Sequence, residues 1–535
     1  MRILVFHGYL LAGTGSNVYN ARLAEAFVEQ GHEVHLLCQD RHPEQHGFVA
    51  AAGDWEGGTL HVRELHERGE RGSCTVYRPD IGDLLPVYVA DRYEGIEART
   101  FAECSDREVE HYVEANVAAV REVFELAQPD VALANHLVMG PAILARALCG
   151  EAPYAVKVHG SALEYTVKPE PQRFLPFARE GVAGARTVLV GSRHTGASLW
   201  RALADLEVER KTRLGPPGVD VERFAPRPQG TAARDLAALA EQLREGAAPD
   251  QNADAAAAGS DAFARDERAS AAALERLKPG ADRLVAFVGK LIVSKGVDLL
   301  LAAWPLVLER VPEAKLVVVG FGAYREGLEA LCMALQSGDL EQARAIAQAG
   351  RSLESAVAPG APPTAASPLV HLLAFFDSLD GQALERYLVA AQTLQERVVL
   401  TGRLEHDELA ELLPACEALV VPSTFPEAFG MVAAEAAACG VLPISARHSG
   451  LAEVSEALAQ AVPEQTAGLL SFPVDDNAVE AIAACVIGWL SAGATVRERT
   501  CTGLVATVRE RWSWDGVARN VIAAAEGRLD ELATP

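Results

Sequence analysis

The sequence of 535 residues has little of what marks several common classes of protein. Its formal net charge is −25, and we expect no nucleic-acid partner, because phosphate contacts dominate that kind of affinity. Its nine cysteines form no C-x-x-C pair, so neither the usual zinc-ligand spacing nor a small disulfide scaffold is present. No apolar run is long enough to cross a bilayer, and no transmembrane segment is expected.

What the sequence does contain is the composition of a large globular protein. Half of its residues are hydrophobic, which is enough for more than one large core, and the length is typical of about two to four domains. The scattered cysteines predict a reduced, cytoplasmic enzyme. Because the chain is acidic, a site for a phosphorylated substrate has to be made locally, from a few lysines and helix N-termini.

The first part of the chain alternates short apolar strands with helical stretches. Residues 2–10 predict a buried strand, a glycine-containing loop follows, and a helix is predicted over 17–30 before a second strand at 33–38. Further strands are predicted at 130–135, 153–158 and 187–191. This order is typical of a doubly wound α/β domain, which we place at residues 1–215. The segment 41–105 is charged and irregular and gives no clear assignment.

A second α/β domain is predicted over residues 281–510. Its strands are predicted at 284–289, 315–319, 398–400, 418–421 and 441–444. A helical insertion at about 336–395 interrupts it. Residues 216–280 are interpreted as a crossing segment with a low-complexity stretch at 247–262. Residues 511–535 predict a final helix that packs back on the first domain.

The sharpest motif is a pair of glutamates, Glu427 and Glu435, around the start of a predicted helix. The helix is predicted to begin near Phe429 and to end before Gly440. Roughly 9 Å of helix would separate the two carboxylates, with free N–H groups between them that suit a diphosphate. The alternative is a capping glutamate followed by a solvated one.

Three weaker motifs follow predicted strands. Lys290 and Lys295 share one loop and are suited to neutralise a leaving diphosphate, or else they are ordinary surface lysines. His159 is interpreted as a hydrogen-bond donor to a sugar, or else as a structural histidine. Gly13 and Gly15 permit close backbone approach to a phosphate, but the loop departs from the dinucleotide fingerprint, which disfavours a nicotinamide cofactor.

Taken in order, these motifs resemble the retaining glycosyltransferases of family 4, which have the GT-B fold. The resemblance covers roughly residues 1–225 and 280–525. It rests on the segments GTGSNVYNARLAEAFVEQGHEV, KVHGSALEY, GPPGVDVERF, FVGKLIVSKGVDLLL, VVVGFG, VVLTGRLEHDELAELL and PSTFPEAFGMVAAEAAACGVLPISARHSG. It implies an α/β fold of two Rossmann-like domains facing across a cleft, with the helical insertion in the second domain. The segments 227–280 and 336–395 lie outside the common pattern.

The resemblance also implies roles for matching residues of the second domain. Glu427 would bind hydroxyls of the transferred sugar, and Glu435 would hold the ribose of the nucleotide. Leu404, in the TGRL turn, would lie near the base. Backbone amides would meet the sugar and the phosphate at three neighbouring residues, Phe429, Gly430 and Met431.

The remaining roles concern the diphosphate and the acceptor side. Lys290 and Lys295 would grip the diphosphate, although the family usually has arginine at the first of these positions, and a lysine loses bidentate phosphate geometry. His159 would contact the donor sugar near the reacting carbon. Gly13 and Gly15 would line the cleft near a phosphate or the acceptor.

The activity implied is a retaining hexosyltransferase with no cofactor and no metal ion. The lysines and a helix N-terminus would stabilise the leaving diphosphate, and that phosphate would act as the base for the incoming hydroxyl. The donor would be a nucleotide diphosphate sugar, and the acceptor a carbohydrate, lipid-linked or small-molecule hydroxyl. Two alternatives stay open, a nucleotide-sugar epimerase and a non-catalytic nucleotide-sugar-binding homologue. A glycogen-type phosphorylase would need a pyridoxal lysine site, which the sequence does not show.

Overall fold

The computed structural model describes residues 1–13, 15–66, 72–88, 97–246, 265–355 and 367–535. The low-complexity stretch predicted at 247–262 lies outside these residues. The described chain divides into two α/β units. Unit 1 combines the ranges Met1–Gly218 and Trp512–Pro535, and unit 2 is Val219–Arg511.

Unit 1 is built on a large, mostly parallel sheet. Its strands are β1 (Arg2–Phe6), β2 (Glu33–Leu37), β3 (Val49–Glu56), β4 (Thr59–Glu64), β5 (Ser73–Arg78), β6 (Leu84–Val87), β7 (Glu97–Thr100), β8 (Val131–Asn135), β9 (Tyr154–Val158), β10 (Thr187–Val190) and β11 (Thr212–Leu214). The sheet order is β11-β10-β9-β8-β1-β2-β5-β3-β4, with β6 and β7 paired separately. Among the described residues of the large sheet, β3 and β4 pair antiparallel and the other neighbouring strands pair parallel. The order reverses at β1, whose neighbours are β2 and β8, and ligands of open α/β sheets bind at such switch points.

Helices cover both faces of this sheet. Those that precede the crossing to unit 2 are α1 (Gly15–Glu29), α2 (Asp106–Ala127), α3 (Gly140–Leu148), α4 (Pro171–Gly184), α5 (Arg193–Leu203) and α6 (Leu206–Lys211). Ser105 and Glu108 form a reciprocal capping box that begins α2. One apolar core contains residues of α2, α3 and α4, among them Val120, Ile143 and Phe174. Parallel strands enclosed in this way are buried on both faces, which accounts for the continuous apolar run of β1.

Unit 2 contains a six-stranded sheet with the order of a dinucleotide-binding fold. Its strands are β12 (Arg283–Val288), β13 (Ala314–Val319), β14 (Val398–Gly402), β15 (Ala418–Val421), β16 (Leu442–Ala446) and β17 (Ser471–Phe472). The order is β14-β13-β12-β15-β16-β17, and every pair is parallel. The switch point therefore lies between β12 and β15.

The helices of unit 2 include those of the predicted insertion. They are α7 (Gln229–Gly246), α8 (Glu267–Glu275), α9 (Val297–Arg310), α10 (Arg325–Ser337), α11 (Leu340–Ala349), α12 (Ser352–Ser355), α13 (Val370–Ser378), α14 (Gly381–Ala391), α15 (Leu394–Arg397), α16 (His406–Leu412), α17 (Met431–Ala438), α18 (Ser449–Ala459), α19 (Glu464–Ala467), α20 (Ala478–Leu490) and α21 (Ala494–Trp512). The last helix, α22 (Trp514–Glu526), belongs to unit 1, where Val517 and Val521 join a core with Phe27 of α1.

Three details differ from the sequence-based expectations. The first strand ends at Phe6 instead of residue 10, because residues 7–13 turn into the loop before α1. The unassigned segment 41–105 contains β3 to β7, of which β4 is largely exposed and therefore shows no apolar run. Residues 219–246 and 265–280, interpreted as parts of a crossing segment, belong to unit 2, where α7 packs against α8.

Among the described residues no single helix is long and apolar enough to cross a bilayer. One pair, α20 and α21, meets that test only when joined, and the two are bent by 108°.

Candidate functional site

The loops after β12 and β15 lie side by side at the switch point of unit 2. The backbone N of Thr424 donates to the carbonyl of Ser294 at 2.9 Å, which fastens the second loop to the first. Gly296 has φ +66°, and a Cβ there would lie 2.0 Å from the carbonyl oxygen of Pro422. The contact requires glycine, because any side chain would collide with backbone. The loop with Lys290 and Lys295 is thereby held against the loop with Glu427.

Lys295 and Glu427 form an ion pair across these two loops. The Oγ of Ser423 donates a second hydrogen bond to the same carboxylate oxygen, at 2.7 Å. Burial opposes the charge of Glu427, but the ammonium of Lys295 and the two hydrogen bonds outweigh it, and the pKa of the carboxyl is lowered. Glu427 is therefore ionised at neutral pH and already oriented.

The backbone of Glu427 is held as well as its side chain. Its N–H donates to Oγ of Ser449 at 2.9 Å, and its carbonyl accepts from the N–H of Gly450 at 3.0 Å. His448 contacts the carbonyl of Ser423 through Nε2 at 2.7 Å. The start of α18 thus fixes the segment that precedes α17.

The N-terminus of α17 follows directly. Gly430 has φ +127°, and no side chain among the described residues caps the helix. Met431 is partly exposed, whereas Phe429 is buried at 8% exposure. Uncapped first-turn N–H groups beside a lysine form an anion-binding arrangement, since the helix dipole and the ammonium act in the same direction.

Glu435 lies buried within α17, at 3% exposure. Its Oε1 lies 2.8 Å from Nε2 of His406, the first residue of α16. The ring of His406 packs on the buried ring of Phe224, with 4.8 Å between centroids. One carboxylate oxygen of Glu435 is therefore oriented by His406.

The other predicted residues of unit 2 lie at the same edge of the sheet. Leu404 follows β14 and is buried at 7% exposure, and Lys290 follows β12 and is exposed. The carboxyl ends of parallel strands meet at one edge, so the predicted residues of unit 2 belong to one site region.

His159 follows β9 in unit 1 and is hydrogen-bonded to Asn135, the last residue of β8. Asn135 donates from Nδ2 to the carbonyl of Phe6 at 3.2 Å, so its Oδ1 faces His159. An amide oxygen only accepts, and Nε2 of His159 therefore donates to it, at 2.8 Å. Burial, reinforced by nearby His136 and Lys157, lowers the pKa of His159 well below its usual value.

This geometry assigns the hydrogen of the His159 imidazole to Nε2. A neutral imidazole carries one hydrogen, which here lies on Nε2 and points to Asn135. Nδ1 is left with a lone pair and can only accept. In this structure the imidazole hydrogen is donated to Asn135, and the interpretation of His159 as a hydrogen-bond donor to a sugar stays a prediction.

Two buried histidines and two buried tyrosines form a ring cluster next to His159. The ring of His136 is 1% exposed, and among the described residues neither of its nitrogens has a hydrogen-bond partner. Its centroid lies 4.9 Å from that of His159 and 4.4 Å from that of Tyr88. The ring centroids of Tyr9 and His7 lie 5.5 and 5.8 Å, respectively, from that of His136. Burial lowers the pKa of His136 well below its usual value, so the cluster is uncharged at neutral pH.

Gly13 and Gly15 flank the start of α1 after β1. Gly13 has φ +95°, and Gly15 is the exposed first residue of the helix. The residue between them, Thr14, lies outside the described residues. The two glycines thus lie at the edge of unit 1 where β1 and β8 end.

Two family models match most of the chain. One, described as glycosyl transferases group 1, matches residues 272–340 and 372–496 in unit 2. The other, described as a glycosyl transferase 4-like domain, matches residues 14–210 in unit 1. The chain belongs to the GT-B glycosyltransferases of the family 4 type.

Individual relatives of this glycosyltransferase are distant. An uncharacterized glycosyltransferase of Methanocaldococcus jannaschii is 23% identical over 241 residues, which is 45% of this chain and 44% of that protein. The sucrose-phosphate synthase of Thermosynechococcus elongatus has 18% identity and a TM-score of 0.55, over 99% of both chains. The Anabaena protein HepE, solved with UDP-glucose, has 14% identity and a TM-score of 0.53, over 98% of this chain and 99% of that one. At these identities the structures support the GT-B fold.

Sequence reasoning missed several residues that orient the glycosyltransferase site. Asn135, His406, Ser423 and Ser449 each hold a predicted residue. His406, Ser423 and Ser449 lie within the quoted motif segments but were given no role, and Asn135 lies outside those segments. Ser423 and His406 could have been proposed from the sequence, because Ser423 lies four residues from Glu427 and His406 lies two residues from Leu404. The roles of Asn135 and Ser449 could not have been predicted from the sequence, since only the packing of the sheet and the helices brings them to their partners.

Within the ranges that the structure describes, no group of three or more His, Cys, Asp or Glu side chains is placed to hold a metal ion.

Proposed function

We propose that this glycosyltransferase moves a hexose-type sugar, with retention of configuration and without a metal ion, from a nucleotide diphosphate donor to a hydroxyl acceptor. The observation that carries the proposal is the Lys295–Glu427 ion pair beside the uncapped N-terminus of α17. It joins a cation for a diphosphate to an oriented carboxylate for sugar hydroxyls.

The donor is proposed to lie along α17. The diphosphate would take the N–H groups of Gly430 and Met431 together with the ammonium groups of Lys290 and Lys295. The ribose would reach Glu435, whose Oε1 is already oriented by His406. Solved GT-B proteins support this class of donor, since HepE was solved with UDP-glucose and the trehalose-6-phosphate protein of E. coli with a UDP-fluoroglucose.

The reaction is a single group transfer. The bond between the anomeric carbon and the diphosphate oxygen breaks, and its electron pair stays on the leaving phosphate. The acceptor hydroxyl oxygen bonds to the same face of the anomeric carbon, and its proton passes to a phosphate oxygen. Lys295 and the N-terminus of α17 stabilise the growing negative charge, which is why no divalent cation is required in this proposal.

His159 is proposed to contact the transferred sugar as an acceptor of a hydroxyl hydrogen, through Nδ1. Gly13 and Gly15 are proposed to lie near the acceptor or a phosphate. The acceptor is proposed to be a carbohydrate, lipid-linked or small-molecule hydroxyl.

The test is nucleotide binding by calorimetry in EDTA, with UDP, GDP and ADP titrated separately. We expect one nucleotide to bind the wild type and Lys295→Ala to weaken that binding at least about 10-fold. Lys278→Ala, a change at an exposed lysine of the same unit, is the control and should leave the affinity unchanged. Absence of binding by all three nucleotides would contradict the donor site.

Turnover of the matching nucleotide sugar then tests the chemistry. NMR of the product formed in EDTA should show the donor's anomeric configuration. A product of inverted configuration, or a requirement for a divalent cation, would contradict the proposed mechanism. A changed nucleotide sugar formed without any acceptor would instead support the epimerase alternative.

A further inference from the structure

Glu354 reaches the loop that carries the two proposed diphosphate lysines. Its Oε1 accepts a hydrogen bond from the backbone N of Val293 at 2.5 Å, two residues before Lys295. Glu354 lies on α12, within residues 341–371, which the glycosyl transferases group 1 model leaves unmatched. A segment that the family model leaves unmatched therefore contacts the proposed donor site.

The rest of the loop is held mainly by backbone. Leu291 donates to the carbonyl of Phe321 at 2.7 Å and accepts from the N–H of Tyr324 at 3.0 Å. On the other side, Ser294 accepts from Thr424. Val293 lies between these two backbone contacts, and its N–H donates to the carboxylate of Glu354.

The position of α12 is itself fixed. The N–H of Arg351 donates to the carbonyl of Ser367 at 3.4 Å, and that of Leu369 donates to the carbonyl of Ala347 at 2.9 Å. Gly350 has φ +50°, and a Cβ there would lie 2.0 Å from the carbonyl oxygen of Ser367. The turn that presents Glu354 is therefore joined to the start of α13.

A carboxylate at this place has two opposite effects. As a charged acceptor it holds the backbone of Val293 more firmly than a neutral group would. As an anion it repels a diphosphate bound at the same loop, which lowers the affinity for the diphosphate. Its charge is felt locally, because Glu354, after burial and Asp298, helps to raise the pKa of Tyr324.

We propose that Glu354 is a positioning residue that holds the Lys290–Lys295 loop in its diphosphate-binding form while its charge moderates the affinity for the diphosphate. This inference rests on the proposed function, because it assumes that the loop binds a nucleotide diphosphate. It gives the insertion at 336–395 a role in setting donor affinity.

Two substitutions separate the two effects. Glu354→Ala removes the hydrogen bond and the charge, whereas Glu354→Gln keeps an acceptor oxygen and removes the charge. Glu385→Gln removes an exposed charge from α14 of the same insertion and is the matched control. UDP, GDP and ADP are titrated into each full-length variant by calorimetry, at low salt and at about 0.5 M salt, and the melting temperature is recorded for each.

We expect Glu354→Ala to bind the nucleotide about 10-fold more weakly than the wild type. Glu354→Gln should bind as tightly as the wild type or up to about 3-fold more tightly at low salt, and that gain should shrink at high salt. In turnover, Glu354→Ala should raise KM for the donor more than it lowers kcat, and Glu354→Gln should restore both.

Either of two results would overturn the inference. One is wild-type affinity in Glu354→Ala. The other is an equal loss in the Ala and Gln variants, which would show that the acceptor oxygen at this position does not matter. Failure of the proposed function looks different, because then no nucleotide binds the wild type and Lys295→Ala changes nothing.

Discussion

His159 donates a hydrogen bond from Nε2 to Oδ1 of Asn135, at 2.8 Å. Nδ2 of Asn135 donates to the carbonyl of Phe6, and this hydrogen bond holds the amide group in one orientation. Three consequences follow for the imidazole: its tautomer is fixed, Nδ1 is an acceptor, and the ring stays neutral at physiological pH.

We predict that Asn135→Asp raises the pKa of His159. A carboxylate opposite Nε2 favours the imidazolium, which the amide does not. NMR titration of ¹⁵N-histidine-labelled protein measures the change, with His159→Asn identifying the resonance. Asn135→Leu should instead remove the acceptor and populate the tautomer with hydrogen on Nδ1. An unchanged pKa in the Asp variant together with an unchanged tautomer in the Leu variant would show that Asn135 does not set the state of His159.

Glu435 should give the site its preference for a ribose with hydroxyl groups. Its buried carboxylate is oriented by His406 and is proposed to accept from the ribose. The wild type should bind UDP about 10-fold or more tightly than 2′,3′-dideoxyuridine diphosphate, if UDP is the nucleotide it binds. Glu435→Ala should lose most of that preference while binding the dideoxy nucleotide nearly as the wild type does.

Calorimetry with the two nucleotides measures this preference directly. His406→Ala, which leaves the carboxylate in place but removes its partner, should reduce the preference less than Glu435→Ala does. Equal discrimination by the wild type and Glu435→Ala would remove the ribose from the proposed contacts of this residue.

The two sheets could be predicted from the sequence because parallel strands leave a simple signal. Runs such as Ile3–Phe6 and Ala418–Val421 are buried on both faces and appear as short continuous apolar stretches. β4 pairs at the edge of its sheet and is mostly exposed, so its sequence, Thr59–Glu64, carries no comparable pattern. The strand order also depends on pairings between distant segments, which local patterns do not contain.

The same distinction applies to the candidate site. Glu427 and Glu435 were identified because they flank the start of one helix in a recognisable spacing. Asn135 acts on His159 from the end of a neighbouring strand, and the ion pair of Glu427 with Lys295 joins residues 132 positions apart. Such partners follow from the fold and not from local sequence patterns.

Gly296 should tolerate no side chain. It has φ +66°, and a Cβ would lie 2.0 Å from the carbonyl oxygen of Pro422, so Gly296→Ala must displace one of the two loops. We expect a loss of about 2 kcal/mol or more in stability, together with weaker nucleotide binding. Gly468→Ala is the control in the same unit, because its φ is −67° and nothing lies within 4 Å of the added Cβ. Thermal unfolding should separate the two variants clearly, and equal melting temperatures would show that the two loops are not in contact as described.

Lys157 should make the stability of the protein depend on pH in the alkaline range. The residue is 2% exposed, and its Nζ donates to the carbonyl of Gly215 and lies 5.4 Å from the ring centroid of Tyr19. Burial lowers its pKa from 10.5 to about 7. Between these two values the folded protein holds the amine neutral while the unfolded chain binds a proton, so stability rises with pH there.

Lys157→Met removes this titration, and the difference between the two proteins isolates it. At pH 7 and below the folded wild type carries a buried charge. Its stability relative to that of Lys157→Met should therefore be lower at pH 7 than at pH 10. Between about pH 7 and pH 10 the wild type should gain on the variant by no more than about 1.4 kcal/mol per pH unit. Chemical unfolding of both proteins at several pH values measures the gain. A difference that stays constant over this range would mean that the amine is protonated in the folded protein throughout, and that the carbonyl of Gly215 and the ring of Tyr19 compensate fully for its burial.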